Sequence, residues 1–237
     1  MKTVIANWKM NPLSLNEALN LVKKYKIYKN LDIWIAPPYL YLIPLITKFR
    51  KIKFGSQNIY FQDKGPYTGE ISPKMIKKIG GKFVIINHSE RRKIGENFKI
   101  ANQKIISVIN SNLTAIVCLG EDKIIKNIKI LKSEWQKQIK ILFKNINLNN
   151  KSIILAYEPT WAISTYKQGS VSPEIVSEFI KFIKNLGFNN KIVYGGSVFI
   201  DNIKIYLDLP LDGFLIGSQS LKPKNFNKIC DLIDKSI

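Results

Sequence analysis

Eight short apolar segments recur along the chain, each followed by a stretch with helical or loop character. Several of these segments, such as Phe83–Ile86, are continuous apolar runs, which is typical of strands buried on both faces. The sequence therefore predicts a parallel sheet wrapped by helices. The predicted strands are Val4–Asn7, Ile33–Ala36, Ile52–Gln57, Phe83–Ile86, Ala115–Leu119, Ile153–Tyr157, Ile192–Tyr194 and Gly213–Ile216.

Helical segments fill most of the gaps between the predicted strands. Ser14 and Glu17 form a capping-box pattern ahead of an apolar stripe. Ser172 has the residue type of a helix N-cap, and Gly187 stands where a C-terminal cap belongs. A longer helix is predicted over Asp122–Phe143, because apolar residues recur there on one helical face.

This alternation of strands and helices has two main solutions, a closed barrel and a doubly wound open sheet. An open dinucleotide-binding sheet should carry a glycine fingerprint after an early strand, but the turn Asn7–Asn11 has no glycine. A glycine pair comes late instead, at Gly195 and Gly196, as in the phosphate-binding loops of barrels. We therefore predict that residues 1–237 form one α/β domain, an eight-stranded parallel β/α barrel.

Composition limits the kind of molecule further. A hydrophobic fraction of 46% and a charged fraction of 23% are those of a soluble globular protein, and a domain of this size can bury a core without disulfides. Cys118 and Cys230 match no zinc spacing and are predicted to be reduced thiols. His88 is the single histidine, which excludes a multi-histidine metal site within one chain. We expect no metal and no cofactor.

The N-terminal sequence and the longest apolar-rich run indicate where in the cell the protein is expected. Residues 1–11 lack the uninterrupted apolar stretch of a signal peptide. The longest apolar-rich run, Tyr39–Ile46, contains Pro44 and is far too short to cross a membrane. We expect a cytoplasmic protein with no membrane partner.

The formal net charge of +20 raises the alternative of a nucleic-acid-binding protein. Only three of the 37 basic residues are arginines, however, and the lysines are spread along the whole chain. No block of five or more like charges forms a basic arm. We interpret the lysines as solvated helix faces and predict no nucleic-acid partner.

Polar residues and glycines that could take part in catalysis or binding stand just after several predicted strands. In a β/α barrel these positions share one rim, where active sites are found. His88 also precedes a predicted helix start, where the helix dipole disfavours the imidazolium. Each residue alone has an ordinary structural explanation, so the prediction of a site depends on their shared rim. The set comprises Asn7, Lys9, His88, Glu90, Glu158, Gly195, Gly196, Ser197, Gly217 and Ser218.

Five stretches of the sequence closely resemble the signatures of the triosephosphate isomerase family. They occur in the family's order, with compatible spacing, between Thr3 and about Leu221. Five motifs in register are far more specific than any one alone. The stretches are Ala6–Asn11, Tyr67–Ser72, His88–Arg92, Ala156–Ile163 and Tyr194–Val198.

The resemblance implies a TIM barrel that interconverts dihydroxyacetone phosphate and D-glyceraldehyde 3-phosphate in glycolysis and gluconeogenesis. It implies that Glu158 is the catalytic base and that His88 polarises the substrate carbonyl. Lys9 resembles the fixed positive charge beside the substrate, with Asn7 next to it, and Glu90 resembles the acidic residue that supports the lysine.

The resemblance also implies a phosphate site, a lid and a dimer. The segment Pro159–Lys167 resembles the family's mobile lid, and Gln57–Ser72 resembles the loop that enters a neighbouring subunit, with Thr68 near its tip. A homodimer follows from the resemblance alone. The residues that resemble the substrate- and phosphate-binding positions are Ser164, Ser197, Gly195, Gly196, Gly217 and Ser218.

Four residues depart from the family's usual pattern. Asn87, Ser164, Tyr166 and Ser218 stand where glycine is usual. A glycine position often has positive φ, which a bulky side chain tolerates poorly. We therefore expect altered lid motion and weaker phosphate affinity, with Tyr166 as the most disruptive change, but intact chemistry.

Two alternative functions remain open at this point. A different phosphate-handling barrel, such as an epimerase or aldolase, would need several metal ligands or a lysine at a late strand end, and neither arrangement is visible. A non-catalytic or nucleic-acid-binding barrel is the other alternative. An isomerase assay on purified protein separates these possibilities.

Overall fold

A computed structural model describes residues 1–162 and 169–237. Eight parallel strands alternate with helices, which confirms the predicted β/α barrel. The strands are β1 (Lys2–Asn7), β2 (Leu31–Ala36), β3 (Lys53–Phe54), β4 (Phe83–Ile86), β5 (Thr114–Leu119), β6 (Ile153–Tyr157), β7 (Ile192–Tyr194) and β8 (Gly213–Ile216). Within the described ranges the α-helices are α1 (Leu15–Lys24), α2 (Tyr39–Lys48), α3 (Pro73–Lys78), α4 (Ser89–Lys93), α5 (Phe98–Asn110), α6 (Ile128–Leu142), α7 (Pro173–Asn185) and α8 (Pro223–Asp234).

The strands follow the order β3-β2-β1-β8-β7-β6-β5-β4, and a single parallel bridge between Ser56 and Val84 closes the ring. The predicted third strand, Ile52–Gln57, is too long, because only Lys53–Phe54 form a regular ladder. The N–H of Gly55 donates to β2, whereas the N–H of Ser56 donates to β4. Such alternation is the ordinary pattern of an inner parallel strand, so the chain still joins β2 and β4 just past Phe54.

The buried side chains form two layers on either side of the strand ring. The outer layer lies between strands and helices and includes Val4 and Ala6 of β1. Ile5, between them in sequence, belongs to the inner layer, as the two-residue period of a strand requires. This double burial explains the continuous apolar runs. The inner layer consists of Ile5, Trp34, Ala36, Phe83, Ile85, Ile116, Cys118, Ile154, Ala156, Val193 and Leu215.

The predicted helix signals are confirmed in part. The Ser14 hydroxyl accepts the N–H of Glu17 at 3.3 Å at the start of α1, and Gly187 adopts φ +85 just past α7. Ser172 occupies the N-cap of α7 but makes no side-chain capping bond. The helix predicted from Asp122 begins only at Ile128, because the Asn127 side chain caps α6.

The two ends of the barrel carry different kinds of residue, because all eight strands run in the same direction. The carboxyl ends of β1, β4, β6, β7 and β8 carry the residues predicted to react or to bind phosphate. At the opposite end, a second cavity is lined by residues of which none was predicted to be functional, including Trp34, Lys53 and Lys151. Within residues 1–162 and 169–237, every helix is too short or too polar to cross a membrane.

Gly213 tests how closely β8 packs against β1 in the barrel. A Cβ at this position would lie 1.8 Å from the Thr3 carbonyl oxygen, and the residue has φ +155. We expect Gly213→Ala to cost at least about 4 kcal/mol of unfolding free energy or to prevent folding. The matched variant Gly187→Ala also places alanine at positive φ but in open space, so it should cost only about 1–2 kcal/mol. Urea denaturation measures both unfolding free energies. Equal losses in the two variants would contradict the close contact between β8 and β1 at Gly213.

Candidate active site

One cavity at the carboxyl ends of the strands brings the predicted residues together. Its lining contains the predicted catalytic groups and most of the predicted phosphate-binding residues, with Val198, Phe199 and Leu215 in addition. Glu90 stands beside it and contacts Lys9. Ser164 and Tyr166 lie outside the described residues. The predicted residues in the lining are Asn7, Lys9, His88, Glu158, Gly195, Gly196, Ser197, Gly217 and Ser218.

His88 is held at the end of β4 by the helix that follows it. It is the N-cap residue of α4, and its Nδ1 accepts the backbone N–H of Glu90 at 3.2 Å. A nitrogen that accepts a hydrogen bond carries no proton, so this contact assigns the ring proton to Nε2. The ring is only 6% exposed, and the helix dipole at this end opposes a positive charge on it.

Glu158 follows β6 directly and is 2% exposed. Its Oε1 lies 2.8 Å from His88 Nε2, and its Oε2 accepts the N–H of Ser89 at 3.3 Å. Its own N–H donates to the carbonyl of Leu119 on β5 at 2.7 Å. The carboxylate is therefore fixed by β4 and β5 as well as by its own strand.

The ionisation of Glu158 reflects two opposing effects. Burial on its own raises the pKa of the carboxyl. The positive charge that His88 carries when it is protonated, together with its hydrogen bond to the carboxylate, lowers the pKa most. The cations Arg92 and Lys9 add to this effect, so burial is outweighed and the pKa of Glu158 lies below the usual value of 4.5. Glu158 is consequently a carboxylate, the form that can accept a proton, throughout the neutral range.

Lys9 projects into the cavity from a loop with an unusual backbone. Its φ is +53, a left-handed conformation that is uncommon for lysine. Its N–H donates to Asn7 Oδ1 at 3.1 Å, and its carbonyl accepts from Gln57 Nε2 at 2.8 Å. Gln57 also donates to Ala36 at 2.8 Å, so the end of β2 helps to hold the lysine in place.

The ammonium of Lys9 is paired inside the site. Glu90 Oε1 lies 2.6 Å from Lys9 Nζ, and the two side chains are 23% and 39% exposed. Since water screens such a pair, it contributes little to stability. Its effect is to direct the ammonium, which still has two protons free for an anionic ligand.

Two loops with small residues line the rest of the cavity. Gly195, Gly196 and Ser197 follow β7, and a 3₁₀ helix begins at Ser218, after β8. The first N–H groups of such a helix have no acceptor within it and can face an anion. The N–H of Ser197 donates to the Ala162 carbonyl at 2.9 Å, so that bond must open before Ser197 can donate to a ligand. Ser218 does not have the positive φ suspected from the family's glycine at this position.

Two residues that support the site were not among the predicted site residues. Arg92 donates to the Asn87 carbonyl at 3.0 Å and to the Thr160 hydroxyl at 2.6 Å, and its charge helps to lower the pKa of Glu158. Gly120 lies where a Cβ would come within 2.5 Å of the Glu158 carbonyl group. Both residues follow recognised strands or motifs, but their partners are distant in sequence and no spacing pattern links them.

The described ranges, 1–162 and 169–237, contain no group of three or more His, Cys, Asp or Glu side chains that could hold a metal ion. The site offers instead a buried carboxylate, an imidazole N–H and an ammonium around a small cavity. This set can move a proton and can stabilise a developing negative charge on oxygen.

Comparison with known proteins agrees with the geometry of the site. The sequence model of the triosephosphate isomerase family matches residues 2–233. Proteins named triosephosphate isomerase from Mycoplasma mobile and Dehalococcoides mccartyi are 39% and 37% identical, covering 95% and 96% of this chain and 97% and 94% of their own lengths. A third, from Wigglesworthia glossinidia brevipalpis, is 36% identical and covers 98% of this chain and 96% of its own. The chain belongs to the triosephosphate isomerase family.

Proposed function

We propose that this chain interconverts dihydroxyacetone phosphate and D-glyceraldehyde 3-phosphate by moving a proton between two carbons through an enediolate. This places the enzyme in glycolysis and gluconeogenesis. The observation that carries the proposal is the 2.8 Å contact between the buried carboxylate of Glu158 and the N–H of His88, within reach of Lys9. An assay that follows isomerisation of either triose phosphate by purified protein tests it.

Glu158 acts as the general base. A proton on carbon next to a carbonyl is weakly acidic, so a carboxylate can remove it only if the negative charge that develops on oxygen is stabilised. In the free enzyme Oε1 is occupied by His88 Nε2. Substrate must separate the pair, so that its oxygen receives the imidazole N–H while the carboxylate faces carbon.

His88 and Lys9 stabilise the enediolate. The Nε2 proton of His88, which is bound to Glu158 Oε1 in the free enzyme, passes to the substrate oxygen as its hydrogen-bond acceptor, and Lys9 adds a full positive charge in the same cavity. A carboxylate base paired with a neutral imidazole at a helix N-terminus is already established for triosephosphate isomerases. The inward placement of both donors before substrate arrives lowers the cost of reorganisation during the reaction.

In this proposal the phosphate group binds at the loops that follow β7 and β8, which also line the cavity. Backbone N–H groups around Gly195–Ser197 and Gly217–Ser218 are the proposed donors. Ser164, the further phosphate-binding residue implied by the family resemblance, lies outside the described residues. A lid over residues 159–167 would exclude water and retain the intermediate.

We also propose a homodimer that covers the first loop. Met10 and Leu13 are 89% and 90% exposed, an unusual state for large apolar side chains close to an active site. The Tyr41 hydroxyl donates to Pro12 in this loop, and Gln57 donates to Lys9. These contacts place α2 and the Gln57–Ser72 loop beside it. Further exposed apolar side chains in these elements are Leu40, Ile43 and Tyr67.

The Gln57–Ser72 loop is built as a compact projection. The N–H of Tyr60 donates to Ile71 across its base at 2.9 Å, and the Tyr60 ring packs on Phe61 and Tyr67. Its outer residues, Thr68 among them, are exposed. A second subunit that received this loop would hold the backbone next to Lys9 in place, so the dimer would support catalysis.

Residues 1–237 act as one catalytic domain in this proposal, and the cytoplasm is the proposed location. Both cysteines are buried free thiols, which suits a reducing compartment. Many of the basic residues that give the +20 charge are surface lysines. They act by attracting anionic substrate and not by recognising nucleic acid.

The pH dependence of catalysis tests the environment of Glu158. Because its pKa is lowered, the carboxylate should persist below pH 4.5, and its contribution to stability should disappear only as the pH falls through the folded-state value. The phosphate group of the substrate also takes up a proton, at about pH 6. Rates must therefore be calculated from the concentration of the substrate dianion. We expect the acid limb of kcat/KM for the free enzyme below pH 4.5. An acid limb above pH 4.5 would show that burial has the larger effect on the pKa of Glu158.

Replacement of the base gives a direct test of the chemistry. Glu158→Gln keeps the size of the side chain but removes the proton acceptor, so we expect kcat to fall by about 10²–10⁴-fold or more. Circular dichroism should show that the variant remains folded. Glu174→Gln, an exposed position on α7, is the matched control and should retain normal turnover. Near-normal activity of folded Glu158→Gln would contradict the proposed mechanism.

The proposed dimer is tested at the tip of the projecting loop. Thr68→Arg should weaken association, because a long charged side chain would have to be accommodated in a fitted interface. The control Ser133→Arg makes a comparable change at an exposed site on α6. Sedimentation velocity should show wild type and the control at twice the 27.2 kDa chain mass, with Thr68→Arg shifted toward monomer. A fully active wild-type monomer would refute the dimer.

A further inference from the structure

Asn87 occupies an unusual position directly before the proposed catalytic histidine. Its φ is +60, and the residue is completely buried. Asparagine is one of the few L-residues that adopt this left-handed conformation readily, although glycine does so with less strain. The residue therefore meets the conformational demand of the turn, but that demand alone does not explain an amide side chain here.

The backbone of Asn87 is held on both sides. Its N–H donates to Glu96 Oε1 at 3.0 Å, and its carbonyl accepts from Arg92 at 3.0 Å. Glu96 is in turn fixed by an ion pair with the buried ammonium of Lys104. These contacts fix the backbone of Asn87 directly after the end of β4.

The side chain of Asn87 adds a contact to β5 beyond the last paired residue of β4. Pairing between β4 and β5 ends with Ile86 opposite Val117, so Asn87 and Cys118 are next in register. Asn87 Nδ2 donates to the Cys118 carbonyl at 2.7 Å. The reverse amide orientation would place two oxygens face to face, which fixes Nδ2 toward β5. A glycine could adopt the same φ but could not donate this bond.

Cys118 also connects this bond to Glu158. Burial raises the pKa of its thiol, and the Glu158 carboxylate facing the thiol raises it further. The neighbouring Leu119 carbonyl accepts the N–H of Glu158. The amide of Asn87 thus joins the strand end that carries His88 to the strand against which Glu158 is held.

We propose that Asn87 is a positioning residue that sets the separation of His88 and Glu158 through its amide bond to the Cys118 carbonyl. The inference rests on the catalytic roles proposed above for these two residues. A buried carbonyl that loses its donor moves or admits water, and either change displaces β4 relative to β5 at the catalytic level. The uncharged amide also keeps negative charge away from Glu158, although its Oδ1 has no partner among the residues that the structure describes.

Asn87→Gly separates the backbone role from the side-chain role, because it keeps the positive φ and removes the side chain that carries the donor. We expect kcat to fall about tenfold, since small misplacements of catalytic groups are costly, while KM stays within about twofold of wild type because Asn87 does not line the cavity. The matched control is Asn145→Gly, another left-handed asparagine, exposed after α6. It should leave both constants unchanged.

Asn87→Asp provides a second readout that a general loss of packing would not produce. A carboxylate at this position would repel the Cys118 carbonyl and place a second negative charge near Glu158. The acid limb of kcat/KM should therefore move to higher pH in this variant, while in Asn87→Gly it should stay where it is in wild type.

The outcomes are distinguishable. A kcat-specific loss in Asn87→Gly with an unmoved acid limb supports the positioning role. A kcat within about twofold of wild type, or a loss matched by Asn145→Gly, overturns it even if Asn87→Asp fails to fold. Inactive, folded wild-type protein would instead overturn the proposed function, and this inference with it.

Discussion

The hydrogen bond between His88 Nε2 and Glu158 Oε1 joins two polar side chains that water can hardly reach. An unpaired carboxylate in that environment would be costly, and the bond offsets much of the cost. The contact depends on the registers of β4 and β6 on either side of β5, which bring His88 and Glu158 to neighbouring levels just past the strand ends. The register of three strands thus determines the distance between the two proposed catalytic groups.

Charged side chains surround this pair, and they differ in how far they are exposed to water. Lys9 and Arg92 are the cations that help to keep Glu158 ionised, and each also contacts an acidic partner, Glu90 or Asp122. These pairs direct the cations and do little for stability at such exposure. The chain's +20 charge is otherwise carried mainly by dispersed surface lysines, so a few fixed groups control the site chemistry.

The sequence predicts the barrel well, because strand burial and strand order leave a clear apolar pattern. It also places His88 and Glu158 correctly, since each stands directly after a strand and chain direction alone brings them to one rim. Local signals are less complete: the helix predicted from Asp122 begins at Ile128, where Asn127 supplies the cap. The amide bond of Asn87 and the hydrogen bonds of Arg92 depend on distances between chain segments, and no residue spacing encodes them.

The central claim is that His88 is a neutral donor aimed at the reaction centre. The chain has a single histidine, so the ¹⁵N spectrum of a histidine-labelled sample reports this ring alone. The account predicts one proton, on Nε2, with Nδ1 unprotonated as the acceptor of the Glu90 N–H at neutral pH. A ring protonated on both nitrogens, or on Nδ1 alone, would contradict it.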